Sequence, residues 1–133
     1  MAAYNALMPS EPTLLFVYGT LKRGEVRASL LAGQQYLGQV KTTAAYRLFN
    51  TGDYPALVEA EPLSLPGRSI HGELWQVDTA CLARLDIEEG VDDGLYERRE
   101  IVLSDGTARA MTYLYRQPTE GLEDCGDTWD MTC

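Results

Sequence analysis

The apolar residues of this chain come in short runs, and the longest run, Leu14 to Tyr18, has only five residues. A run of that length fits a buried β-strand and is far below the ~20 apolar residues that a membrane-spanning helix needs. Other stretches rich in strand-forming residues recur between turns that contain glycine or proline. They predict strands within 13–18, 35–50, 57–58, 69–77, 96–103 and 107–116.

Two segments are predicted to be helical. The first, 25–33, is short and ends at a glycine. The second, 79–89, has Asp78 or Thr79 as its N-terminal cap and Gly90 as the residue that closes it. Many short strands with two short helices predict a mixed α+β domain, and a sheet this small could be curled or closed.

Length and charge bound the domain organisation and the partners. The 133 residues fit one domain at 13–117, with an N-terminal lead at 1–12 and an irregular, mobile acidic tail at 118–133. The net charge of -9 and the scattered basic residues argue against nucleic acid or an anionic membrane as a partner. The first residues lack the basic-then-apolar plan of a secretory signal, so we expect a cytoplasmic protein.

The cysteines and the single histidine, His71, predict no metal centre. No Cys/His group has the spacing of zinc ligands. The count of three cysteines argues against a complete disulfide framework; Cys125 and Cys133 could pair, but a reduced state is the expectation.

Glu89 is the first candidate for chemistry. At about 100° per residue, Leu82, Leu85 and Glu89 share one face of the predicted helix, whereas Glu88 points away from it. A carboxylate held against apolar surface tends to have a raised pKa, which suits a general acid/base at neutral pH. The alternative interpretation is a solvated glutamate in the last helical turn.

The second candidate is the segment Val17 to Leu21, in which a buried strand runs into Gly19 and then a predicted helix. Such a turn can present consecutive backbone N–H groups to an anion. The pattern of a phosphate-binding loop is absent. Taken alone, the segment fits a plain strand-ending turn better than a binding loop.

Three motifs in order resemble the γ-glutamylcyclotransferase-like family, of the γ-glutamylamine cyclotransferase or AIG2-like type. The first is the run Tyr-Gly-Thr-Leu-Lys-Arg-Gly at 18–24, directly after an apolar strand. The second is Gly-Glu-Leu-Trp at 72–75. The third is Leu-Asp-Ile-Glu-Glu-Gly at 85–90, followed by Tyr96 and Arg98 in a Tyr-x-Arg pattern. The resemblance covers about residues 14–116.

The resemblance implies a small mixed β-barrel with flanking short helices. It implies an enzyme that releases 5-oxoproline and a free amine from a small-molecule γ-glutamyl amide, without a cofactor or metal. The substrate's α-amine would attack its own γ-carbonyl, with Glu89 as the residue that accepts and returns the proton. Backbone amides of the loop formed by Tyr18, Gly19, Thr20 and Leu21 would bind the glutamyl head.

The roles of the other motif residues stay open. Tyr96 and Arg98 face the same side of a strand; one of them could line the pocket, or Arg98 could pair with a carboxylate and brace the site. Tyr54 and Pro55 could lie near the pocket mouth. Many relatives have an apolar residue where Glu88 stands, so the choice of Glu89 over Glu88 depends on register.

Asp92 and Asp93 form an acidic run after the helix. If they lie near the pocket, they would favour an amine-bearing leaving group. The substrate itself is not determined: γ-glutamyl amino acids, glutathione, ε-(γ-glutamyl)-lysine and a γ-glutamyl-capped secondary metabolite all fit.

Two other functions compete with the enzyme. A non-catalytic module of the same fold could bind a glutamyl-like ligand, since membership of a family does not fix activity. A structural or interaction protein could use its acidic tail. The sequence leaves the oligomeric state open.

Overall fold

The computed structural model of this protein describes residues 12–106 and 109–129. These residues form eight strands: β1 Thr13–Val17, β2 Gln35–Lys41, β3 Tyr46–Asn50, β4 Pro55–Glu59, β5 His71–Val77, β6 Tyr96–Ile101, β7 Ala110–Tyr115 and β8 Glu123–Gly126. The one α-helix among them, α1, spans Thr79–Glu88, and short 3₁₀ turns span Ala28–Leu31 and Glu61–Leu63. The expectations for 1–11, 107–108 and 130–133 lie outside the described residues.

The strands form two sheets, in the orders β2-β5-β1-β7-β6 and β4-β3-β8. β1 is central in the larger sheet: it runs antiparallel to β5 and parallel to β7. The prediction of a mixed α+β fold is confirmed. The two sheets pack against each other without strand pairing between them, so the barrel-like body is not closed.

β1 is apolar from Leu14 to Val17, which suits a strand with both faces covered. Phe16 packs into a cluster with residues of both sheets, among them Leu48 and Leu57. Leu15 and Val17 point to the other face, where they pack with a cluster that includes Leu85 of α1. The longest apolar run of the sequence is thus the strand around which both halves of the core form.

Helix α1 forms where the pattern predicts it. The Asp78 side chain caps it by accepting a hydrogen bond of 2.7 Å from the Cys81 amide. At the other end the Gly90 amide donates to Ile87 O and the Val91 amide to Asp86 O, both at 3.0 Å. This is a Schellman motif, and Gly90 has the positive φ of 65° that it requires.

The predicted helix at 25–33 is wrong. Only the 3₁₀ turn Ala28–Leu31 forms, within a chain of i to i+3 turns that begins at Gly19. Leu31 is its single fully buried side chain, so the segment has no apolar face long enough to support a regular helix.

The expectation of an irregular tail is also wrong for part of 118–133. β8 pairs with β3, and the Trp129 side chain is buried in the core cluster that contains Phe16. Cys81 is free and buried, whereas Cys125 is disulfide-bonded, contrary to the expected reduced state. No helix within 12–106 and 109–129 is long and apolar enough to cross a membrane.

Candidate active site

A cleft opens where the end of β1 meets the end of α1. It encloses about 320 Å³ of empty space, its open mouth included. Its lining comes from β1 and the following loop, from the C-terminal cap of α1, and from β4, β6 and β7: Phe16, Val17, Tyr18, Gly19, Thr20, Leu21, Arg27, Pro55, Glu89, Tyr96 and Tyr113. Six of the seven predicted site residues are therefore in one place.

The loop after β1 is shaped by the close approach of Gly19 to the Pro55 ring. A Cβ on Gly19 would lie 2.1 Å from Pro55 Cγ, so only glycine fits there. The Lys22 amide closes the turn on Gly19 O at 3.0 Å. Within the described part of the chain the amides of Thr20 and Leu21 donate no hydrogen bond. They are the N–H groups that can hold a ligand oxygen here.

Glu73, in the Gly-Glu-Leu-Trp motif, holds the loop that follows β1. Its buried carboxylate accepts hydrogen bonds from the Arg23 amide at 2.9 Å and from Trp75 Nε1 at 3.2 Å. The Arg23 guanidinium stacks over the Tyr36 ring at 3.6 Å from its centroid. The motif thus holds Arg23, at the C-terminal end of the loop that lines the cleft, against β2 and β5. The sequence did not reveal this role.

Glu89 is the C-terminal cap of α1 and is only 8% exposed. Leu85 of the same face is fully buried, whereas Glu88 is exposed. Burial raises the pKa of the Glu89 carboxyl; Arg27 opposes this rise and the nearby Glu88 charge adds to it. The expected geometry, a carboxylate at the rim of the core, is what the structure has.

Arg27 contacts Glu89, and sequence reasoning missed it. Its Nη2 lies 3.2 Å from Glu89 Oε1, and its Nε donates to Thr20 Oγ1 at 2.7 Å. The Arg27 amide donates to Thr20 O at 2.8 Å. No local pattern distinguished this arginine from other surface basic residues, because its contacts depend on how the turns of 19–31 close.

Tyrosine side chains form the floor of the cleft. The Tyr18 hydroxyl donates to Tyr113 O at 2.6 Å, and the Tyr96 hydroxyl donates to Pro55 O. Burial, as the main cause, raises the pKa of Tyr18, Tyr96 and Tyr113. These phenols therefore stay protonated and neutral at physiological pH.

Arg98 differs from the other predicted site residues because it does not line the cleft. Its Nε lies 3.1 Å from Asp86 Oδ1, and the same oxygen accepts a hydrogen bond of 2.7 Å from the Tyr113 hydroxyl. Of the two arrangements left open for Arg98, the structure has the one in which it pairs with a carboxylate.

A second space, here called the outer cavity, adjoins the cleft and encloses about 480 Å³ including its mouth. Four residues line both spaces: Thr20, Arg27, Glu89 and Tyr96. The outer cavity is otherwise lined by Val26, Asp53, Tyr54, Glu88 and Leu95. Neither space is lined by Asp92 or Asp93; among the described residues, Asp53 and Glu88 are the acidic residues that line the outer cavity besides Glu89. Among the described residues no group of three or more His, Cys, Asp or Glu could hold a metal ion.

Comparison with known proteins shows which family this chain resembles. The model of the family "Gamma-glutamyl cyclotransferase, AIG2-like" matches residues 15–131. A Vibrio cholerae protein described as an inferred gamma-glutamylcyclotransferase is 41% identical over 114 residues, 86% of this chain and 93% of its own. The Escherichia coli gamma-glutamylcyclotransferase family protein YtfP is 33% identical over 119 residues, 87% of this chain and 96% of its own. The crystal structure of a mouse AIG2-like protein superimposes with a TM-score of 0.75 at 23% identity, covering 90% of this chain and 89% of that one.

Proposed function

Since this chain belongs to the gamma-glutamyl cyclotransferase, AIG2-like family, we propose that it cyclises γ-glutamyl amides, releasing 5-oxoproline and a free amine. The observation that supports this most directly is one cleft that holds a buried carboxylate, Glu89, beside a loop with unpaired backbone amides. Its relatives bear the name of this activity. A cytoplasmic location is part of the proposal.

The glutamyl head of the substrate would bind in the cleft. Its α-carboxylate would accept hydrogen bonds from the amides of Thr20 and Leu21, which have no partner of their own in the described chain. Because nucleophile and electrophile belong to the same molecule, holding the glutamyl chain in a folded form supplies much of the rate. A small, closely walled cleft suits that task.

Glu89 would move the proton. As the α-amine nitrogen forms its bond to the γ-carbonyl carbon, the Glu89 carboxylate accepts a proton from that nitrogen. The bond between the carbonyl carbon and the second nitrogen then breaks, and the carboxyl returns its proton to the leaving amine. Protons and electrons balance, so the reaction needs no co-reactant.

The developing negative charge on the γ-carbonyl oxygen needs a hydrogen-bond donor. We assign this to an amide of the Gly19–Leu21 loop that does not hold the α-carboxylate. The outer cavity, which shares Glu89 with the cleft, would accommodate the leaving amine.

The experiment is 5-oxoproline release from a panel of γ-glutamyl amides, with Glu89→Gln and Glu88→Gln side by side. Both variants remove one negative charge from adjacent positions, but only Glu89 is buried in the cleft. We expect Glu89→Gln to lower kcat/KM by about 100-fold or more, and Glu88→Gln to stay within a few-fold of the wild type. Release that survives in Glu89→Gln would contradict the assigned role. A wild-type protein that binds γ-glutamyl amides without releasing 5-oxoproline would establish a binding module instead.

A further inference from the structure

Arg27 stands in the wall between the cleft and the outer cavity. Among the described residues that line either space it is the only basic one. Its side chain is 29% exposed and that of Glu89 is 10% exposed, so their contact is partly shielded from solvent. A partly buried pair of this kind is screened less by water and salt than a surface ion pair.

The guanidinium is fixed in place from two sides. Nε donates to Thr20 Oγ1 at 2.7 Å, and Nη2 donates to Glu89 Oε1 at 3.2 Å. The backbone amide of Arg27 adds a third restraint through Thr20 O. Since a guanidinium is planar and always charged, these contacts hold a permanent positive charge against one oxygen of Glu89.

The contact treats the two oxygens of Glu89 differently. Oε1 is held by Arg27, whereas Oε2 accepts no hydrogen bond from the described residues. A carboxylate that must exchange a proton with two substrate nitrogens needs one such free oxygen. The other titratable side chains that line the two spaces are phenols or carboxyl groups, which never carry a positive charge: Tyr18, Tyr54, Tyr96, Tyr113, Asp53 and Glu88.

We propose that Arg27 is a positioning residue that keeps Glu89 ionised in the resting protein and holds Oε1, so that Oε2 exchanges protons with the substrate. Without Arg27, burial alone would favour the protonated carboxyl, which cannot act as a base. The chemical part of this inference rests on the proposed function; the electrostatic part does not. The competing role for Arg27 is purely structural, a tie between the 20–27 loop and the end of α1.

The experiment titrates Glu89 directly, in protein labelled with ¹³C at the glutamate side-chain carboxyl. Glu89→Gln identifies the resonance by its loss. Arg27→Gln removes the positive charge, and Arg27→Lys keeps the charge with a different shape. Arg84→Gln changes the net charge equally from an exposed position on α1 and serves as the matched control.

We expect the carboxyl pKa of Glu89 to rise in Arg27→Gln, to return at least partly in Arg27→Lys, and to stay at its wild-type value in Arg84→Gln. In the cyclisation assay the acidic limb of the kcat/KM profile should move to higher pH by the same amount. At pH values below the Glu89 pKa of both the wild type and Arg27→Gln, a rise of one pH unit in this pKa lowers kcat/KM about tenfold. A change in KM without a shift of the acidic limb would not satisfy this expectation.

An unchanged carboxyl pKa in folded Arg27→Gln would overturn the proposal and leave Arg27 a structural tie. The carboxyl titration needs no substrate, so it decides this even if no γ-glutamyl amide is turned over. Absence of 5-oxoproline release from the whole panel would instead overturn the proposed function. The two failures are therefore distinguishable.

Discussion

The hydroxyl of Tyr18 donates a hydrogen bond of 2.6 Å to the carbonyl oxygen of Tyr113, 95 residues further along the chain. The Tyr113 hydroxyl in turn donates to Asp86 of α1 at 2.7 Å. The loop that would bind substrate and the helix that ends at Glu89 are thus connected through one residue of β7. The cleft is supported from beneath by this connection.

Replacing Tyr18 with Phe removes this hydrogen bond and leaves a buried carbonyl without its partner. We expect the free energy of unfolding to fall by about 1 to 2 kcal/mol, measured by urea denaturation. Tyr36→Phe is the matched control, because its hydroxyl has no hydrogen-bond partner in the described structure and its ring is only partly buried. Equal losses in the two variants would mean that the Tyr18–Tyr113 bond contributes nothing specific.

Gly19→Ala should distort the cleft. Its Cβ would lie 2.1 Å from Pro55 Cγ, so the loop or β4 must shift, at a cost of about 1 to 3 kcal/mol in stability. The shift would also move the amides of Thr20 and Leu21, and kcat/KM should fall. The double variant Gly19→Ala with Pro55→Ala removes the obstructing Cγ and should recover part of both losses. Strict additivity of the two substitutions would rule out the clash as the cause.

The stability of the protein should depend on the protonation of Glu89. Its folded-state pKa is raised above the ordinary value of 4.5, so the folded state holds this proton more tightly than the unfolded chain does. The stability that Glu89 contributes is therefore fully present below its unfolded-state pKa and is lost as pH rises through the folded-state pKa. Relative to the wild type, Glu89→Gln should gain stability between pH 4 and neutral pH. Thermal unfolding of both proteins at several pH values measures the difference, and a difference independent of pH would contradict it.

Substitution of Arg98 tests whether this residue has a structural role or binds substrate. Its ion pair with Asp86 is partly exposed, so Arg98→Gln should cost only about 0.5 to 1 kcal/mol of stability. We expect KM for a γ-glutamyl amide to stay within a few-fold of the wild type, as in the control Arg99→Gln, whose side chain is more exposed. A KM increase of about 100-fold would show that Arg98 contacts the substrate after all.

Local sequence patterns predicted those parts of the fold and the site that depend on neighbouring residues. The buried strand at 13–17, the cap at Asp78 and the stripe that ends at Glu89 each follow from periodicity or capping within about ten residues. The order of strands in the sheets has no such local signal. Arg27 was missed because its segment was predicted as a helix, and its two contacts depend on a series of turns instead.

β8 was missed for a different physical reason. Its residues, Glu-Asp-Cys-Gly, begin with two exposed carboxylates and end with two partly buried residues, with none of the alternation that marks a half-buried strand. It forms because backbone pairing with β3 is available and because Trp129, which follows it, is buried in the core. Tertiary context thus decides the conformation of a segment whose composition favours an irregular tail.

The Lys22 ammonium donates a hydrogen bond of 2.9 Å to Trp129 O, which ties the loop beside the cleft to the last part of the chain that the structure describes. Shortening the protein before Trp129 would therefore do more than trim a surface extension. It would release one anchor of the loop and open the core beneath it at the same time. Protein prepared with such a deletion could lose activity with Glu89 and every cleft residue intact, so assays of this chain should use its full C-terminal region.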